Sequence, residues 1–100
     1  MGPIRPATAD AYVRLGQLIK IYQGNKTPGN YSAALDCFVE ECGGTSRVCK
    51  DIGVHYGSIN KARQTGGHKV DPLTQEAQIA AINKWVAPML PAPSARAARL

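Results

Sequence analysis

From Tyr56 to Gln64 the chain reads Tyr-Gly-Ser-Ile-Asn-Lys-Ala-Arg-Gln. Ser, Asn, Gln and Arg are the side chains that can hydrogen-bond the exposed edges of nucleic-acid bases, whereas Lys suits a phosphate. Residues near the start of a helix laid in a groove reach deepest, which makes Tyr56, Ser58, Asn60 and Lys61 the candidates for base or near-base contacts. Charge in the neighbourhood is one-sided. Arg47, Lys50, Lys61, Arg63 and Lys69 fall between Thr45 and Val70, opposed there only by Asp51. Arg47, Lys50, His55, Arg63 and Lys69 are therefore the candidates for phosphate contacts; as a lone histidine, His55 also suits a capping or turn position.

These side chains need a scaffold, and Thr45–Gln64 supplies one. Val48 and Ile52 are four apart and share a helical face, with the small Cys49 beside them. Gly53 stands where the chain must reverse, since glycine reaches positive φ without steric cost. Val54 follows in the angle, and Ile59 and Ala62 give the next helix an inward stripe. The spacing predicts two short helices joined by a tight turn.

The segment LDCFVEECGGTSRVCKDIGVHYGSINKAR, within Tyr31 to Gln64, resembles the tri-helical helix-turn-helix of bacterial and phage DNA-binding proteins. It is particularly like the modules of transposases, small terminase subunits and phage regulators. The resemblance implies a double-stranded DNA partner and a second helix offered to the major groove. Gly57, in the first turn of that helix, departs from the pattern, because glycine inside a helix costs about 1 kcal/mol relative to alanine.

Outside this segment the periodicity predicts three more helices and no strand, an all-α fold of about five helices. Tyr12, Leu15, Ile19 and Tyr22 mark an amphipathic helix over Ala7 to Gln23, followed by a turn-rich loop from Gly24 to Asn30. Asn30 is the expected cap of a helix carrying Tyr31, Ala34, Leu35, Phe38 and Cys42 on one face. Gly43-Gly44 ends it, and Thr45 or Ser46 caps the next. Gly66-Gly67 is another stop. Asp71-Pro72 starts a last helix to about Ala87, with Ile79, Ile82, Val86 and Trp85 as its apolar residues. Trp85 is the expected anchor against the first helix, with a dimer interface as the other use of a tryptophan there. Residues 1–6, with Arg5, read as a loose arm and 91–100, with Arg96 and Arg99, as a basic tail; 7–90 form the helical domain.

Composition narrows the rest. Aromatic residues are 6% of the chain, so the core should be small and aliphatic. Twelve Lys/Arg against seven Asp/Glu give a net charge of +5, which favours an anionic partner. Cys37, Cys42 and Cys49, an odd number without a disulfide framework or an apolar leader, point to the cytoplasm. Their spacing to one another and to His55 and His68 lacks a CxxC knuckle, so buried free thiols are expected rather than a metal site. Asp36 and Glu40 share a helical face without a histidine or a second carboxylate helix, and solvation is their expected role. No phosphate loop, nucleophile elbow or dinucleotide fingerprint is present, and no enzyme or cofactor is expected.

The function expected from these residues is sequence-specific binding of duplex DNA by a small regulator of transcription, with a homodimer on paired half-sites as a possible assembly. Two rivals use the same chain differently. One is a phage or mobile-element protein of the anti-CRISPR type that binds a host or defence complex. The other is an RNA binder in which Tyr56 stacks on an unpaired base.

Overall fold

Each of the five helices is started by a side chain. Thr8, Thr27, Thr45, His55 and Asp71 sit in extended backbone, and each accepts a hydrogen bond from the backbone N–H three residues on. This satisfies one of the donors that a helix start otherwise leaves orphaned. The computed structural model describes residues 8–91 of the chain. The helices are α1 (Ala9–Gly24), α2 (Pro28–Glu40), α3 (Ser46–Ile52), α4 (Tyr56–Gln64) and α5 (Pro72–Val86), and a 3₁₀ turn at Ala87–Met89 follows α5. The fold is all-α, with no strand among the described residues. The proposed arm (1–6) and, beyond Pro91, the proposed tail lie outside those residues.

The second helix starts earlier than expected, and Asn30 does not cap it. Thr27 holds that position because Pro28, with φ already suited to a first helical turn, follows it directly. Asn30 lies inside the first turn. Its backbone N–H donates to Thr27 Oγ1 at 3.1 Å, and its side-chain Nδ2 donates to the Asn25 carbonyl at 2.8 Å. The loop between α1 and α2 therefore shrinks to Asn25–Thr27.

Leu15, Ile19 and Tyr22 of α1 meet Tyr31, Ala34, Leu35 and Phe38 of α2, and Ile79, Ile82 and Val86 of α5 complete this layer. Ile59 and Ala62 attach α4 to α2, while α3 contributes Cys49 and touches α4 and α5. All of these side chains are buried. Trp85 makes edge-to-face contacts with Phe38 at 5.2 Å and Tyr12 at 6.1 Å between ring centroids. Such pairs add about 0.5–1.5 kcal/mol beyond area burial, so Trp85 fastens α5 to both α1 and α2.

Two buried glutamines on α5 break its apolar stripe. Gln75 Nε2 donates to the carbonyls of Gly67 (3.2 Å) and Val70 (2.9 Å), satisfying the backbone of the α4–α5 connection. The Tyr31 hydroxyl donates to Gln78 Oε1. Gly67 makes this arrangement possible. It has φ +84°, and a Cβ there would lie 2.6 Å from the Pro28 carbonyl oxygen. Only glycine lets the connection rest on the first turn of α2.

Candidate nucleic-acid interface

The α3–α4 unit is built around Gly53. Its φ of +79° lets its N–H donate to the Lys50 carbonyl (3.2 Å) and the Val54 N–H donate to the Cys49 carbonyl (2.9 Å). This paired closure ends α3 and turns the chain within three residues. Val48, Ile52 and Val54 are half-buried against the core, which sets α3 on its neighbours and leaves Arg47 and Lys50 exposed.

His55 caps α4. Its Nδ1 accepts from the Ser58 N–H at 3.1 Å and lies 3.2 Å from Ser58 Oγ. An accepting Nδ1 requires the ring proton on Nε2, so the cap is a neutral imidazole. The same geometry explains Gly57. A Cβ on residue 57 would stand 2.8 Å from His55 Cε1, so glycine leaves room for the ring to fold back over the first turn.

At roughly 100° per residue, the buried Ile59 and Ala62 place Gly57, Lys61 and Gln64 on the outer ridge of α4, with Asn60 beside them. Tyr56 is half-buried and packs on the core at one edge of this ridge. Ser58 lies on the other flank, toward α5. There it lines a cleft of about 220 Å³ together with Lys61, Lys69, Asp71, Thr74 and Gln78. A second cleft of about 440 Å³ adjoins it, sharing Ser58, Thr74 and Gln78 and reaching His55 and Leu73.

The fold brings Ser58, Lys61 and Lys69 together, and separates Arg63 from them. Arg63 Nε donates to Asp36 Oδ1 at 2.8 Å and Nη2 to Glu40 Oε1 at 2.9 Å. Its side chain is 20% exposed. The guanidinium expected on a phosphate thus clamps α4 to α2, and the two carboxylates expected to be merely solvated are its partners. Glu41 pairs with Arg14 and Glu76 with Lys26. Asp71 is held by the α5 cap, its carboxylate kept below the usual range first by the Thr74 hydroxyl and then by the Thr74 N–H.

These pairings redistribute the charge. Among the described residues, Lys20, Arg47, Lys50, Lys61, Lys69 and Lys84 have no ion-pair partner. Four of them, Arg47, Lys50, Lys61 and Lys69, belong to α3, α4 and the segment after α4.

Cys37 and Cys42 both donate toward the Ala11 carbonyl, at 3.9 and 3.3 Å, and Cys49 is fully buried in α3. Burial pushes all three thiols up, Cys42 to about 12. Gln64, off the inward stripe by its spacing but not among the residues chosen for base contacts, stands on the ridge; the part of Gln78 was not foreseen, because its polar side chain gives no sign of burial. Among the described residues no helix is long and apolar enough to cross a membrane. Compared with protein-family models, with curated proteins and with solved structures, the chain matches none.

Proposed function

We propose that this protein binds double-stranded DNA sequence-specifically, as a small transcriptional regulator of the bacterial or phage type that its Tyr31–Gln64 segment resembles. In this reading α2, α3 and α4 form the tri-helical unit, α4 enters the major groove, and α3 crosses the backbone. The observation that carries it is the partition of charge. Most of the acids are engaged by Arg14, Lys26, Arg63 or a helix cap, while Arg47, Lys50, Lys61 and Lys69 stay free on one stretch of the fold. Asn60 and Gln64 would face the bases, with Tyr56 at the edge. Arg47, Lys50, Lys61 and Lys69 would neutralise phosphates.

Stacking of Tyr56 on an unpaired base is disfavoured by its packing on the core, which weakens the RNA alternative. Among the described residues the exposed large apolar side chains are Ile21 and Leu73, which lie on different helices and give a protein partner no specific support. The test is selection of bound duplexes from a random pool, followed by titration of a selected duplex at several salt concentrations. Enrichment of a common sequence is expected. With four lysine or arginine contacts, log affinity should fall against log salt with a slope of about −3 to −4. Failure of the purified protein to bind any duplex at low salt overturns the proposal.

A further inference from the structure

The cleft between α4 and the start of α5 is lined by hydrogen-bond donors and unpaired ammonium groups from different elements. Gln78 is 6% exposed, and its carboxamide oxygen is held by the Tyr31 hydroxyl. That bond fixes the amide plane, so Nε2 is directed away from Tyr31. It makes no hydrogen bond to another described residue and is not sealed from solvent, so it can donate to an occupant of the cleft. Gln78 lines the cleft together with the Ser58 hydroxyl, and Lys61 and Lys69 stand at it with no carboxylate paired to either.

Asp71 is the one acid there. Its two oxygens are turned into the first turn of α5, accepting from the Thr74 N–H and the Thr74 hydroxyl. Two ammonium groups against one carboxylate leave the cleft with a single positive charge. A fixed neutral N–H, a rotatable hydroxyl and two flexible point charges approach the space from different elements. That donor set suits a tetrahedral oxyanion with several acceptor oxygens better than a planar carboxylate, which an arginine fork would match.

We propose that this cleft is a phosphate site, with Gln78 Nε2 and Ser58 Oγ as oriented donors and Lys61 and Lys69 as counter-charges. Its occupant is a backbone phosphodiester of the duplex that α4 faces, so the assignment of the occupant rests on the DNA reading above. The cleft flanks α4 on its Ser58 side, where the strand bordering a groove-bound helix would run.

The experiment follows the Gln78 side-chain amide and the Ser58 backbone amide of the full ¹⁵N-labelled chain by NMR. One arm adds inorganic phosphate and the other adds a selected duplex. Both resonances should move in both arms, at far lower ligand concentration with the duplex. Lys69→Gln, at an exposed position that threatens no packing, should weaken duplex binding at least fivefold. It should also lower the salt slope by about 1, a larger effect than Lys20→Gln on α1. A duplex that binds without moving the Gln78 amide, and equally to the Lys69 and Lys20 variants, overturns the cleft and leaves the DNA reading intact. Movement with inorganic phosphate but no binding of any duplex keeps the phosphate chemistry and overturns the backbone occupant together with the DNA reading. Silence in both arms with no duplex bound overturns both.

Discussion

The imidazole of His55 occupies the space that a Cβ on Gly57 would need, at 2.8 Å from Cε1. A residue that looks like a flaw in α4 thereby serves the cap of the same helix. The two positions should be energetically coupled. Gly57→Ala in the intact chain trades a helix-propensity gain against a displaced cap, each about 1 kcal/mol, and should be nearly neutral. In a His55→Ala background the clash is gone, and the same substitution should stabilise by about 0.5–1 kcal/mol. Urea unfolding of the four proteins measures the cycle. Equal effects of Gly57→Ala in both backgrounds would show that the ring and the glycine are independent.

Arg63 and Lys61 lie two residues apart on α4 yet should behave oppositely. Arg63→Ala removes both contacts to α2 and should cost about 1 kcal/mol of stability, a modest figure because Asp36 and Glu40 are largely in water. It should leave the salt slope of duplex binding unchanged. Lys61→Ala should leave stability within about 0.5 kcal/mol of the parent and lower the slope by about 1. Asn60→Ala, by contrast, should erode discrimination among sequences by about 1–3 kcal/mol. A slope that drops for Arg63→Ala as much as for Lys61→Ala would mean that the guanidinium leaves its carboxylates on binding.

Removing one hydroxyl from each of two buried tyrosines should give opposite signs. Tyr22 Oη is buried without a hydrogen-bond partner among the described residues, so Tyr22→Phe should be neutral or stabilising by up to about 1 kcal/mol. Tyr31→Phe strands Gln78 Oε1 and should destabilise by about 1–2 kcal/mol. Thermal melts of the two variants decide the matter, and a destabilised Tyr22→Phe would reveal a partner for that hydroxyl.

Alkali should unfold the protein earlier than its lysine content suggests. Burial raises the Tyr31 phenol from 10.0 to about 12, and burial with the neighbouring Cys37 raises the Cys42 thiol from 9.0 to about 12. Both groups stay protonated in the fold while the unfolded chain already ionises. Their stabilising contribution is therefore fully present below about pH 9 and is lost between there and about pH 12. Unfolding free energy measured against pH should fall across this window, and Cys42→Ala should reduce the part of the slope that begins lowest, which the raised Cys37 and Cys49 thiols share. A flat profile up to pH 11 would contradict the burial of these groups.

Much of the scaffold was legible because its signals are local. Gly53, Asp71-Pro72 and the Val48–Ile52 and Ile59–Ala62 spacings act within one or two turns, and the structure places helices and turns there. Thr27 and Asn30 are both good caps, and the choice between them turned on the proline that follows Thr27. Arg63 was not legible at all. Its partners lie 27 and 23 positions away on α2, and helical periodicity says nothing about which charges a tertiary fold brings together. The same distance effect hid Gln78, whose partner Tyr31 is 47 residues earlier.

The five caps also bear on how quickly the chain finds its structure. Each helix carries its own starting instruction, acting across three residues, so none waits for a distant segment to define where it begins. Chains dominated by such short-range instructions meet little loop-closure entropy before their first rewarding contacts, and small helical domains of this type fold in microseconds to milliseconds. Stopped-flow or temperature-jump relaxation followed through Trp85 should find this protein among them, with Asp71→Ala slowing refolding only if α5 docks in the rate-limiting step.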